Sequence, residues 1–243
     1  MWFVDSDDVI EPNCIRAILD ELYHEKAIGC TFNVNFVPEH FRISNIDAKC
    51  ELTFRTESYS YGGNMPFNII INREFLLVNQ IEFNPAMSFG EDTLWRYYIW
   101  LYSDYVLQTD TVLYHYRNVP TSATHAKSEI RSKKWLTSMQ EMLYSYQHMY
   151  DNFPNDINKR KRYDTKIRIY WTVQNILLGA IRAKKSREVL SDLIARGLYP
   201  YPVLWKRLWG SRSLGEFGTN LFCLLFPIPL YYKNIAKIYS RFL

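Results

Sequence analysis

The residues of this chain that can act together chemically are carboxylates, and they fall in two short clusters. The first lies in the opening stretch "MWFVDSDDVIEPN" (residues 1–13), where Asp5, Asp7 and Asp8 follow directly on Trp2, Phe3 and Val4. A triplet of bulky and β-branched residues reads as a short buried parallel strand, whereas aspartate is a poor strand residue. The three carboxylates therefore mark the tip where the chain leaves the sheet. At such a tip their side chains can converge on a cation. The second cluster is "FGEDTLW" (residues 89–95), with Glu91 and Asp92 just after Gly90 at a predicted helix start. The helix dipole favours carboxylates there, and either cluster taken alone reads equally well as a capped turn.

The elements that must position these residues follow from periodicity. Pro12 suits the first turn of a helix, and Ile15, Ile18, Leu19 and Leu22 are spaced to bury one face up to about Ala27. Residues 28–37, "IGCTFNVNFV", alternate as a strand. A polar stretch, 38–66, contains "YGGNMP" and reads as a loop, in which Gly62, Gly63 and Asn64 can form a plain turn or part of a closing flap. "FNIIINREFLLVNQIEF" (67–83) reads as a strand and a short helix, residues from Glu91 as a helix, and "DYVLQTDTVLYHYR" (104–117) as a strand. The aromatic run "WRYYIWLY" (95–102) has helical spacing and reads as core. Beyond Thr121 the pattern is helical. Strands mixed with helices, then helices alone, predict an α/β unit with a helical extension.

Composition bounds the function classes. A chain of 243 residues that is 48% hydrophobic can bury a large core and is neither disordered nor fibrous. The four cysteines (Cys14, Cys30, Cys50, Cys223) lack C-x-x-C spacing and follow no secretory signal, which predicts reduced thiols of a cytoplasmic protein. The net charge of +4 hides an asymmetry. Residues 1–120 hold 8 Lys and Arg against 17 Asp and Glu, and residues 121–243 hold 21 against 8, or −9 and +13. An acidic half suits a divalent cation, and a basic half suits phosphates or an anionic surface.

The order and separation of the clusters carry more than either alone. A strand ending in Asp-x-Asp-Asp, a Pro-Asn helix start, Gly-Glu-Asp-Thr some eighty residues later, then "LYHYR" and a Ser together resemble the second half of a family 2 glycosyltransferase of the GT-A fold. The resemblance covers Trp2 to about Ser122. It implies a partial GT-A (Rossmann-like) mixed sheet over residues 1–120, with residues 121–243 as a helical extension. It also implies an upstream nucleotide-binding half, so that the chain reads as a fragment with little transfer activity of its own.

Roles follow from the resemblance residue by residue. It implies a nucleotide-diphosphate sugar as donor, a saccharide or lipid-linked acceptor of bacterial surface polysaccharide synthesis, and Mg²⁺ or Mn²⁺ as cofactor. Asp7 matches the metal ligand, Asp5 a contact to the ribose or the metal, and Asp8 a further ligand or an outer partner. Asp92 matches the general base and Glu91 its neighbour; a single base and a single displacement imply inversion at the anomeric carbon. Arg117 and Ser122 match a Tyr-Arg followed by Ser, with Arg117 as a phosphate clamp or a structural strand-end arginine. His115 and His125 fall off the matching position and read as core or surface histidines.

The tail, residues 203–243, mixes Trp, Leu and Phe with Lys and Arg. Its apolar run from Leu221 to Tyr232 is broken by Pro227 and Pro229 and is too short to span a bilayer. It predicts either peripheral contact with the cytoplasmic face of the inner membrane or a segment folded onto the body. Two other classes are weighed against the enzyme. One is a non-catalytic remnant or interaction module of such an enzyme. The other is a nucleic-acid binder built on "KRKR" (159–162), for which no binding motif accompanies the charge, so no nucleic acid is expected.

Overall fold

The computed structural model describes residues 1–43, 52–58, 65–103, 105–118, 129–153, 157–183 and 185–199, with short pieces between 209 and 221. Two compact units are present. One comprises Met1–Asn84 and Glu91–Ala126, the other Pro85–Gly90 and Lys127–Leu243. The division falls a few residues after the composition shift at 120, and the short segment before Glu91 belongs with the helices.

The first unit is built on a mixed sheet of β1 (Val9–Ile10), β2 (Gly29–Pro38), β3 (Arg55–Ser58), β4 (Ile69–Ile71) and β5 (Tyr105–Asn118). The path runs β1-β5-β2-β4, and β3 also pairs with β5. β2 and β5 are parallel, from Cys30 opposite Leu107 to Pro38 opposite Asn118, with register shifts around Asn33. The other pairings are antiparallel. The two long strands are where alternation was clearest in the sequence. β3 lies in the stretch read as loop: "RTES" has no apolar pattern, and it extends because β5 offers an open edge, on which Arg55 forks onto Asp110 at 2.8 and 2.9 Å.

The opening residues do not form a parallel strand. Trp2 makes a single antiparallel bridge to Ile70, flanked by reciprocal hydrogen bonds between Met1 and Ile71, and Val4 is 44% exposed. An antiparallel neighbour supplied from downstream needs no crossover, so the pairing is met within the chain. The Trp2 indole donates to the Phe67 carbonyl at 2.6 Å, and its ring meets Phe32 edge-on.

Helices flank this sheet. Pro12–Cys14 forms a 3-10 turn, as the proline predicts, and leads into α1 (Ile15–His24), which buries Ile18. α2 (Arg73–Val78) is capped by Asn72, whose side chain accepts from the Glu74 N–H at 2.8 Å. α3 (Glu91–Tyr102) buries Leu94, Trp95, Arg96, Tyr97, Ile99, Trp100 and Leu101, so its aromatic run is core. The Arg96 guanidinium is buried with them and donates to the Met65 carbonyl at 2.9 Å and to the Asn68 side chain. Cys14 and Cys30 sit in the core. Cys14 is disulfide-bonded, contrary to the expectation of four reduced thiols. Cys30 is free, and burial pushes its thiol up to about 12, which leaves it inert.

The second unit is helical: α4 (Glu129–Asp151), α5 (Lys159–Arg182) and α6 (Ser186–Ala195). α4 and α5 approach so closely that a side chain at Gly179 would collide with the Trp135 ring. α6 is tied down by Asp192, which accepts from the Tyr144 hydroxyl at 2.6 Å and from Arg196 at 2.8 Å. The segment before α3 joins this unit through Ser138, whose hydroxyl accepts from the N–H groups of Ser88 and Phe89, and Gly90 turns with a φ of 73°.

Candidate active site

The first carboxylate cluster is a tight turn held by β5. The Asp8 N–H donates to the Asp5 carbonyl at 3.2 Å, closing residues 5–8 into a β-turn. Tyr114, fully buried in β5, lies beneath it. Its hydroxyl accepts from the Asp5 N–H at 3.1 Å and donates to Asp8 Oδ2 at 2.5 Å. The other Asp8 oxygen accepts from the Arg117 N–H at 2.7 Å. The Arg117 guanidinium donates through Nη1 to the Asp7 carbonyl at 3.0 Å and through Nη2 to the Phe41 carbonyl at 2.9 Å. Arg117 thus straps the turn to β5 and to the segment at Phe41.

These bonds sort the three aspartates. Asp8 spends both carboxylate oxygens on β5, with the short charge-assisted geometry of a structural anchor. The Asp5 and Asp7 carboxylates are exposed and accept no hydrogen bond among the described residues. Burial first, then the charges of Asp8 and Asp7, raise the Asp5 pKa above the ordinary carboxylate value. Two exposed carboxylates in an acidic field, with only oxygen donors, fit a hard divalent cation whose remaining ligands come from elsewhere. The trio does not close within 4.8 Å as a complete cage. Among the described residues the group that does is Glu21, His24 and Glu25, at the exposed end of α1.

Asp92 lies in the first turn of α3 and is half-buried. Its Oδ1 accepts from the Thr93 N–H at 2.6 Å and from the Thr93 hydroxyl at 3.3 Å. Desolvation raises its pKa and outweighs these bonds and the Arg96 charge, which act downward. Beside it, Glu91 has Oε2 buried with no hydrogen-bond partner. Three residues on from Asp92, Trp95 shares its face of the helix. The Trp95 ring stacks on Phe83 at 5.2 Å and meets Phe3 edge-on at 5.3 Å, and Phe3 meets Phe83 at 5.2 Å. Phe3 is two residues before Asp5. This aromatic triad ties the segment that leads into the acidic turn to the first turns of α3, although Asp8 and Asp92 are 84 positions apart in the chain.

Other expected residues fall elsewhere. His115 is buried in β5, 3.0 Å from Glu11 through Nε2 and stacked on Phe41, a core histidine. Ser122, His125, Gly62, Gly63 and Asn64 lie outside the described residues, as does most of 203–243. Sequence reasoning missed Tyr114. Its signal was a tyrosine in a strand buried on both faces, whose hydroxyl needs a polar partner.

With this geometry in place, comparison with solved structures is informative. Crystal structures of S. aureus TarS 1–349 share the architecture. In the complex with UDP-GlcNAc the TM-score is 0.57 at 13% identity, covering 99% of this chain and 67% of that one. In the complex with UDP the values are 0.54, 14%, 100% and 67%. No protein-family model matches the sequence, and no curated protein matches it. The chain shares the mixed α/β, Rossmann-like architecture of these structures, the fold class the sequence predicts.

Proposed function

We propose that the chain belongs to an inverting glycosyltransferase of family 2 that moves a sugar from a nucleotide-diphosphate donor to a saccharide or lipid-linked acceptor of bacterial surface polysaccharide. The observation that carries this reading is the ring contact between Phe3, two residues before Asp5, and Trp95, three residues after Asp92, with Phe83 against both. The fold it shares with a protein crystallised with UDP-GlcNAc and with UDP supports a nucleotide-sugar donor.

The hydrogen bonds support a division of labour. Asp5 and Asp7 would hold Mg²⁺ or Mn²⁺, which when bound neutralises the charge that gathers on the departing diphosphate. Asp8 and Arg117 keep that turn in shape. Asp92 takes the proton from the acceptor hydroxyl as it attacks the anomeric carbon, and its raised pKa brings it nearer the working range of a base. Glu91 is its neighbour, with Oε2 buried and without a hydrogen-bond partner. The test is a panel of UDP-sugars assayed for Mn²⁺-dependent release of UDP with a saccharide acceptor. Release that EDTA abolishes and Mn²⁺ restores supports the reading, and release that does not depend on the metal contradicts it.

We also propose peripheral contact with the cytoplasmic face of the membrane through the basic tail. No helix among the described residues is long and apolar enough to cross a bilayer. Trp209 and Leu214 are 80% and 91% exposed, suited to an interface, whereas Asn220 is buried against Tyr170 and Gln174. The tail therefore has an anchored part and an exposed part. Deleting all of 203–243 would remove a core residue, so the cleaner test is W209S/L214S. This variant should lose co-sedimentation with phosphatidylglycerol vesicles while the parent retains it, and equal sedimentation would exclude the contact.

A further inference from the structure

We propose that Tyr114 is a positioning residue for the cation and diphosphate, one hydroxyl that holds the 5–8 turn in the shape in which Asp5 and Asp7 are free to bind. This rests on the reading that the turn takes a divalent cation. No part of the family resemblance assigns the residue.

The turn is weak by itself. Four residues with three carboxylates repel one another, and one internal hydrogen bond of 3.2 Å does not resist that repulsion. The missing restraint comes from β5 at two points. Arg117 supplies the positive one, through its own N–H and its guanidinium. Tyr114 supplies the neutral one, and only it touches both ends of the turn, accepting from Asp5 and donating to Asp8. The donor direction follows from the partners: the Asp5 N–H can only donate to the hydroxyl, which leaves the hydroxyl proton for the Asp8 carboxylate. The ring itself cannot swing, being stacked on Phe67 with centroids 4.4 Å apart and planes 14° from parallel.

The Tyr114 bond also occupies an Asp8 oxygen that would otherwise compete for the cation. Its loss would let Asp8 swing toward the metal and let the turn open at Asp5. A merely structural tyrosine would have no such signature, since removing it would lower stability and leave ligand affinity alone. Tyr114→Phe keeps the ring and its stacking and removes only the hydroxyl.

The experiment measures Mn²⁺ affinity in the presence of UDP, by the loss of the free-ion EPR signal, for the full chain, Y114F, D8N and the double variant, with thermal melts alongside. Y114F and D8N should each bind Mn²⁺ about 10-fold more weakly, in line with the loss of partners that orient metal ligands. The double variant should lose less than the sum of the two single changes, because they share the Tyr114–Asp8 bond, while Y114F also frees the Asp5 N–H and D8N also weakens the Arg117 contact. Should Y114F fail to fold, D8N carries the same expectation. Unchanged or tighter binding by Y114F, or additive losses in the double variant, overturns the proposal. Absence of Mn²⁺ binding by the parent chain overturns this proposal together with the glycosyltransferase reading, so the two failures are told apart by the parent alone.

Discussion

Asp92→Asn should lower sugar transfer by about 10²- to 10⁴-fold, the range attributable to a positioned general base, while leaving donor binding nearly unchanged. The separation is the informative part. A base acts on the acceptor proton in the transition state, so kcat should fall while the KM for the nucleotide sugar stays put. The parent's rate should also fall as the pH is lowered through the Asp92 pKa, at a limb shifted upward from the ordinary aspartate value, because only the ionised form accepts a proton. Stability should move the other way. With its pKa raised in the folded state, Asp92 binds its proton more tightly folded than unfolded, so stability is lost as pH rises from the unfolded value through the folded one. Asp92→Asn removes that neutral-pH penalty and should raise the melting temperature at pH 7. A variant that is more stable and far less active is the mark of a site that keeps a desolvated charge for its chemistry. A donor KM that rises with the loss of kcat would instead make Asp92 a donor ligand.

Asp7→Asn should have the second-largest effect, on the cation rather than on the base. Arg117 holds the backbone carbonyl of Asp7, not its carboxylate, so the substitution leaves the turn's hydrogen bonds in place and the fold intact. What it removes is one of the two carboxylates of the turn that accept no hydrogen bond among the described residues. Loss of a direct ligand should weaken Mn²⁺ binding by more than the roughly 10- to 100-fold seen when outer partners are lost. The stabilisation that Mn²⁺ with UDP confers in a thermal melt should disappear with it, since that shift follows the ratio of ligand to its dissociation constant. Isothermal titration with Mn²⁺ and UDP checks the first expectation and a melt checks the second. Retention of affinity in Asp7→Asn together with its loss in Asp5→Asn would move the cation onto Asp5 alone.

What was legible in the sequence was local. Alternation in residues 28–37 and 104–117 identified the two long strands, and the apolar spacing after Pro12 and after Glu91 identified the helices that flank them. Strand direction was not legible: Trp2 to Val4 carry the apolar density of a buried parallel strand, yet the pairing partner is Ile70, antiparallel and downstream. Burial can be read from residue type, whereas the direction of a neighbour is decided by the rest of the sheet. β3 escaped notice because "RTES" is polar and extends only through the edge that β5 presents. At the site, the sequence separated carboxylates from their surroundings but did not rank them. Asp5, Asp7 and Asp8 look equivalent on paper, and only the placement of Tyr114 and Arg117 shows that Asp8 is occupied while the other two are open.

The claim that unites these expectations is that one cleft holds both the cation turn and Asp92. A crystal soaked with Mn²⁺ and UDP, with diffraction collected above the manganese edge, tests it directly. The account requires an anomalous peak between the carboxylates of Asp5 and Asp7, bridged to the diphosphate, with Asp92 facing the β-phosphate end where the sugar would sit. A peak at Glu21, His24 and Glu25 with none at the 5–8 turn, or a diphosphate turned away from Asp92, would contradict it.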